Sequence, residues 1–136
     1  MMQTGNTARN DLQSSPIDPA WITEGTPTAR ALTLALAEDG NFSCGLWDCT
    51  AGKFKYIYYT DEIVYILEGE AIIREEGREH ILHVGDTVFF PKGLTAYWTI
   101  PNYVKKFAIH RVVPRSLVMR ILSKLKKIIK TMLFIK

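Results

Sequence analysis

Two strand-and-turn blocks constrain this chain more than any other feature. The string Glu62-Ile63-Val64-Tyr65-Ile66-Leu67-Glu68-Gly69 ends in a glycine turn. Sixteen residues after Gly69, the string Gly85-Asp86-Thr87-Val88-Phe89-Phe90-Pro91-Lys92-Gly93 runs a β-rich segment into a Pro-x-Gly turn. Around them lie further short strand-like segments, at 30–38, where Leu32, Leu34 and Leu36 alternate with period two, at 54–59, rich in aromatic and β-branched residues, and at 42–49, 70–74, 80–84, 95–100 and 105–112. Turn residues such as Asp39-Gly40-Asn41 and Ala51-Gly52-Lys53 separate them. Many short strands punctuated this way predict an all-β sandwich or barrel rather than a parallel α/β sheet.

At 136 residues the chain has the length of one domain and enough material for a real core. With 47% hydrophobic and 23% charged residues its composition is that of an ordinary soluble protein. Residues 1–15 are polar and lack the apolar stretch of a secretory signal, so they are expected to be disordered or loosely attached. No apolar run approaches the roughly 18 residues that span a bilayer. Cys44 and Cys49 have odd spacing on one strand, which points them to opposite faces and argues against a disulfide. Two unpaired thiols without a signal predict a cytoplasmic setting.

Residues 15–22, with Pro16 and Pro19 before Trp21 and Ile22, read as an extended arm against a body spanning 16–114. Pro114 ends the β region, and the apolar period then changes from two to 3.6. Val118, Ile121, Leu122, Leu125, Ile128, Ile129 and Met132 form one stripe of an amphipathic helix over 115–136. The net charge of +3 hides an asymmetry: residues 1–114 carry a balance of −4, and 115–136 carry seven Lys/Arg and no acid. The helix has two open fates, packing on the barrel or a second subunit, or lying peripherally on an anionic membrane surface. Nucleic acid is not expected, because the acidic body repels phosphate and the helix lacks interleaved aromatics.

Gly52, Glu62 and Gly69, with Gly85, Pro91 and Gly93, resemble the two motifs of the cupin superfamily. Trp47-Asp48-Cys49-Thr50-Ala51-Gly52-Lys53-Phe54, together with Trp98 and Lys106, is similar to the small single-domain cupins of the (S)-ureidoglycine aminohydrolase type. The resemblance implies a jelly-roll-like cupin β-barrel and a homodimer. It also implies where metal-ligating histidines would stand. Those positions hold Tyr56, Tyr58 and Ala96, and only Glu62 is retained. One carboxylate and two neutral phenols make a poor divalent site, so no metal and no other cofactor is expected. His80 and His83 fall on opposite strand faces, and His110 stands alone near the end of the last strand, so all three read as surface or internally satisfied histidines.

Strand alternation places Trp47, Tyr56, Tyr58, Glu62, Ala96 and Trp98 toward one interior, a candidate site for a small flat or cationic molecule. The plainer alternative is that Tyr56 and Trp98 fill the core. Glu62 needs a partner such as Lys106, Lys53 or a tyrosine hydroxyl, or else a raised pKa that fits it for acid–base work. Three functions stay open at this point. One is a metal-independent small-molecule-binding cupin. The second is an enzyme on a small nitrogenous or carbonyl metabolite, with Glu62 as base and Tyr56 or Tyr58 as acid. The third is a membrane-surface adaptor with a structural barrel.

Overall fold

The computed structural model describes residues 1–112 and 117–134; within 117–134, side chains are described for 121–133. The core elements are β3 (Ala29–Leu36), β4 (Phe42–Ile57), β5 (Asp61–Gly69), β6 (Ala71–Glu75), β7 (Arg78–Leu82), β8 (Thr87–Phe90) and β9 (Thr95–Arg111). Two short strands precede them, β1 (Gln13–Ser14) and β2 (Ile22–Glu24), and a helix follows, α1 (Leu117–Phe134). All pairings are antiparallel, in the order β1-β3-β4-β9-β5-β8, with β2 on β4 and the β6–β7 hairpin on β9. The fold is the all-β cupin barrel, and among the described residues α1 is its one α-helix.

Two long strands hinge the barrel. The segments expected at 42–49 and 54–59 form one strand of 16 residues, and those at 95–100 and 105–112 form one of 17. The first half of β4 pairs with the second half of β9, and the second half of β4 with the first half of β9. Their register shifts by one residue between Thr50 and Gly52. That bulge swaps the inward parity of β4, so odd-numbered Trp47 and Cys49 and even-numbered Phe54 and Tyr56 face one interior. The expected Ala51-Gly52-Lys53 turn is therefore a bend within a strand. Gly52 permits it, because a Cβ there would lie 2.7 Å from the Pro27 ring. Gly69 is equally constrained: φ is +72° and a Cβ would fall 1.8 Å from the Tyr103 carbonyl oxygen.

Residues 1–15, expected to be loose, lie against the outer face of the sheet. Leu12 is buried, β1 pairs with β3, and the Gln3 side chain exchanges hydrogen bonds with the Leu36 backbone. Lys105 explains the attachment. Its buried ammonium donates to the Arg9 carbonyl at 2.8 Å, so the segment supplies polar partners that a buried charge requires. Beside it, buried Asp48 accepts from Arg30 and from the Tyr103 hydroxyl at 2.8 Å.

The arm at 15–22 contains a single 3-10 turn, Pro19–Trp21, capped by the Asp18 side chain. Ile17 is buried in the core cluster, and β2 then joins β4. Of the segment expected to be helical, Arg115, Ser116, Ile135 and Lys136 lie outside the described residues. Among the described residues, no helix is long and apolar enough to cross a membrane.

Candidate functional site

The barrel interior has a buried floor and an open mouth. The floor is aromatic: Tyr58 stacks on Phe90 at 4.4 Å, and Phe54 stacks on Trp98 at 6.0 Å. Ala96 and Cys49 are fully buried there. The Trp98 indole Nε1–H donates to the Tyr58 hydroxyl at 3.1 Å, which satisfies both polar ends. Burial first, and Glu62 second, hold the Tyr58 phenol well above its ordinary pKa. Burial likewise pushes the Cys49 thiol up to about 12.

At the mouth the register aligns chemistry. Glu62 on β5 pairs with His110 on β9, and Lys106 on β9 pairs with Ile66 on β5 and with Trp47 on β4. Even-numbered residues of β9 face inward, so Lys106 and His110 both meet the buried Glu62. The Lys106 ammonium donates to Glu62 Oε2 at 2.7 Å, and His110 Nδ1 lies 3.2 Å from Glu62 Oε1. The Lys106 cation also sits over the rings of Trp47 at 4.7 Å and Trp98 at 5.2 Å. Lys53, the other lysine considered for Glu62, pairs with Glu24 instead. Desolvation lowers the His110 pKa, an effect that Glu62 opposes and Lys106 reinforces.

These groups border a pocket of about 300 Å³. Its walls include Trp47, Tyr56 and Leu46 from β4 and Ile17, Asp18 and Trp21 from the arm. Trp21 meets Tyr56 edge-on at 5.4 Å. The structure thus brings together Trp47, Tyr56 and Glu62 of the expected residues. It places Tyr58, Ala96 and Trp98 in the floor beneath, where Tyr58 is 2% and Ala96 0% exposed. His110, read from the sequence as a surface or satisfied histidine, does face Glu62, and it also borders the pocket, which the sequence did not display.

The donor set does not suit a metal ion. Both Glu62 oxygens are engaged, and a divalent cation would share the carboxylate with an ammonium 2.7 Å away. Among the described residues no three His, Cys, Asp or Glu side chains converge to hold one. His80 reaches Glu75 beside a second pocket lined by Ile73, Leu82 and Phe90, and His83 lies near Glu70 and Asp86 on the surface.

Comparison with known proteins agrees with this barrel. The family described as the EutQ-like cupin domain matches residues 36–108. The chain belongs to that family. This EutQ-like cupin is 29% identical over 70 residues to the acetate kinase EutQ of Clostridioides difficile, covering 52% of this chain and 45% of that protein. It is 33% identical over 73 residues to the acetate kinase EutQ of Salmonella typhimurium, covering 53% and 32%. The chain therefore spans less than half the length of these curated relatives. Among solved structures, EutQ of Salmonella typhimurium superimposes with a TM-score of 0.57 at 27% identity, over 64% of this chain and 72% of that one. A DUF861-family protein of unknown function from Pseudomonas syringae gives 0.71 at 27% identity, over 77% and 46%. The shown relationship is to the EutQ-like cupins.

Proposed function

We propose that this EutQ-like cupin binds a small metabolite, without a metal, in the mouth pocket. The observation that carries the reading is the Glu62–Lys106–His110 cluster facing an aromatic pocket of about 300 Å³. That volume is at the lower end of ligand sites, which suits a molecule of metabolite size. The cluster also refines the ligand class. Lys106 already neutralises Glu62 and covers the Trp47 face, so a cationic ligand gains little. A carboxylate or carbonyl oxygen gains more, because the Lys106 ammonium can turn a donor toward it.

A thermal-shift screen of small carboxylates, amides and amines tests this. A ligand should raise the melting temperature of the wild type and do so markedly less in His110→Asn and Tyr56→Ala. Equal responses in all three proteins would remove the mouth as the site. A full equivalent of bound transition metal in the purified protein would remove the metal-independent part.

A second reading is enzymatic. The curated EutQ relatives are named acetate kinases, and a small carboxylate acceptor matches the donors at the mouth. The narrower likeness to ureidoglycine aminohydrolase cupins would instead put a nitrogenous carbonyl compound there. In both cases His110 is the better proton acceptor, since both Glu62 oxygens are held. Acetate with ATP, and a ureide, belong in the same screen with turnover as the readout. We further propose that two copies pair through the outer face of β8-β5-β9, where Phe89, Ile63 and Tyr65 are each more than 40% exposed. Light scattering of wild type and Ile63→Lys checks this: the proposal expects a dimer mass that the substitution halves.

A further inference from the structure

Helix α1 carries a second surface independent of the pocket. Ile121, Leu122, Leu125, Ile128, Ile129 and Met132 are between 47% and 70% exposed. At 3.6 residues per turn they occupy, with Leu133, one arc of roughly 140°. Lys124 stands on one margin of that arc and Lys126 on the other, while Lys127 and Lys130 occupy the opposite face. Residues 115–136 hold no acid at all.

The barrel leaves this stripe uncovered, so its remaining occupants are the helix of a second copy or a lipid surface, and charge separates them. In a helix pair, residues on the margins flank the seam and need opposite charges across it. Here both margins are lysine, and the helix offers no carboxylate to answer them, so self-pairing would bring like charges together. An anionic lipid surface answers both features. The stripe enters the boundary between headgroups and acyl chains, and the marginal lysines lay their stems along it and extend their ammonium groups to lipid phosphates and carboxylates. The helix has the wrong composition to cross the bilayer, because its charges recur on every turn. The body, with its balance of −4, contributes no competing attraction to such a surface, so binding falls on the helix.

We propose that α1 lies in the plane of an anionic lipid surface and ties the barrel to it. The test is sedimentation of the full chain with vesicles of phosphatidylcholine alone or with about one-third phosphatidylserine. Most of the protein should sediment with the anionic vesicles at low salt. The bound fraction should fall several-fold as salt rises from about 0.05 M to 0.5 M, where screening shortens. Leu125→Glu with Ile129→Glu, and separately Lys124→Glu with Lys127→Glu, should each abolish binding and leave the barrel's melting temperature unchanged. That last readout distinguishes a lost surface from a lost fold. Absence of binding at low salt, equal binding to uncharged vesicles, or a Leu125→Glu phenotype limited to halving the solution mass would each overturn the proposal. The last result would make the stripe a seam between copies.

Discussion

Tyr56 and Tyr58 stand two residues apart on and just beyond β4, point the same way, and live in different media. Tyr58 lies in the floor, stacked on Phe90, with its hydroxyl taken by Trp98. Tyr56 lies at the mouth, half-buried, edge-on to Trp21 and lining the pocket. Burial raises both phenol pKa values, and Tyr58 the more. The difference teaches that facing the barrel axis is not the same as facing a ligand. Depth along the axis decides it, and depth is set by what the neighbouring strands and the arm place above each residue.

The largest effect should come where mouth and floor meet. Lys106 is almost fully buried and its charge is answered by Glu62. Glu62→Leu would leave that ammonium alone among the rings of Trp47 and Trp98, a change that typically costs about 3–5 kcal/mol. Adding Lys106→Met should restore most of the loss, because an apolar pair of similar volume needs no partner. Urea denaturation of the three proteins measures both steps. A single-mutant loss below about 1 kcal/mol would show that the pair is open to water and that the mouth extends deeper than the floor allows.

Next comes the tyrosine pair itself. Tyr58→Phe removes the acceptor of a buried indole N–H and should cost about 1–3 kcal/mol, the penalty of an unmade buried hydrogen bond. Tyr56→Phe should stay within about 0.5 kcal/mol of wild type, as expected of a position without such a constraint. Equal costs would erase the distinction between floor and mouth.

The fold was legible in the sequence because turns announce themselves. Gly69, Gly85 and the Pro91-Lys92-Gly93 turn mark the ends of β5 and β8, and period-two alternation supplied the strands between. Glu62 and its partner Lys106 were also readable, since a carboxylate inside a barrel must be answered. His110 was not, and the reason is local. Pro101 and Asn102 look like a strand break, yet β9 runs through them as a bend. Read as one strand, its even positions 96, 98, 106 and 110 share a face, and His110 comes inside with Ala96 and Trp98. Attachment of residues 1–15 was hidden for another reason. It depends on Lys105 needing partners on the outer face, a long-range demand that a polar N-terminus does not display. The depth of Ala96 likewise follows from cross-strand packing rather than from alternation.

The smallest effect, and the one that isolates the mouth, is pH dependence. His110 has its pKa lowered on folding, chiefly by burial, with Lys106 adding to the effect and Glu62 opposing it. The folded state therefore prefers the neutral imidazole. Where pH lies between the depressed folded value and the unfolded value near 6.5, the unfolded chain binds more protons, and stability rises with pH. The contribution of His110 is thus present above about pH 6.5 and is lost as pH falls through the folded value. Paired carboxylates such as Asp61, held low by the Lys92 backbone and Arg111, add a slope of the same sign at lower pH. The informative quantity is then the difference between wild type and His110→Asn. Melting curves from pH 5 to pH 7.5 should show a steeper rise in the wild type than in the variant, across the interval just below about 6.5. The floor should contribute nothing in that range, because Cys49 titrates near 12 and Tyr58 higher than a free phenol. Parallel curves would mean that His110 titrates as it does in water. The mouth would then be wet at its rim, and water would screen the charge that Lys106 offers a carboxylate ligand.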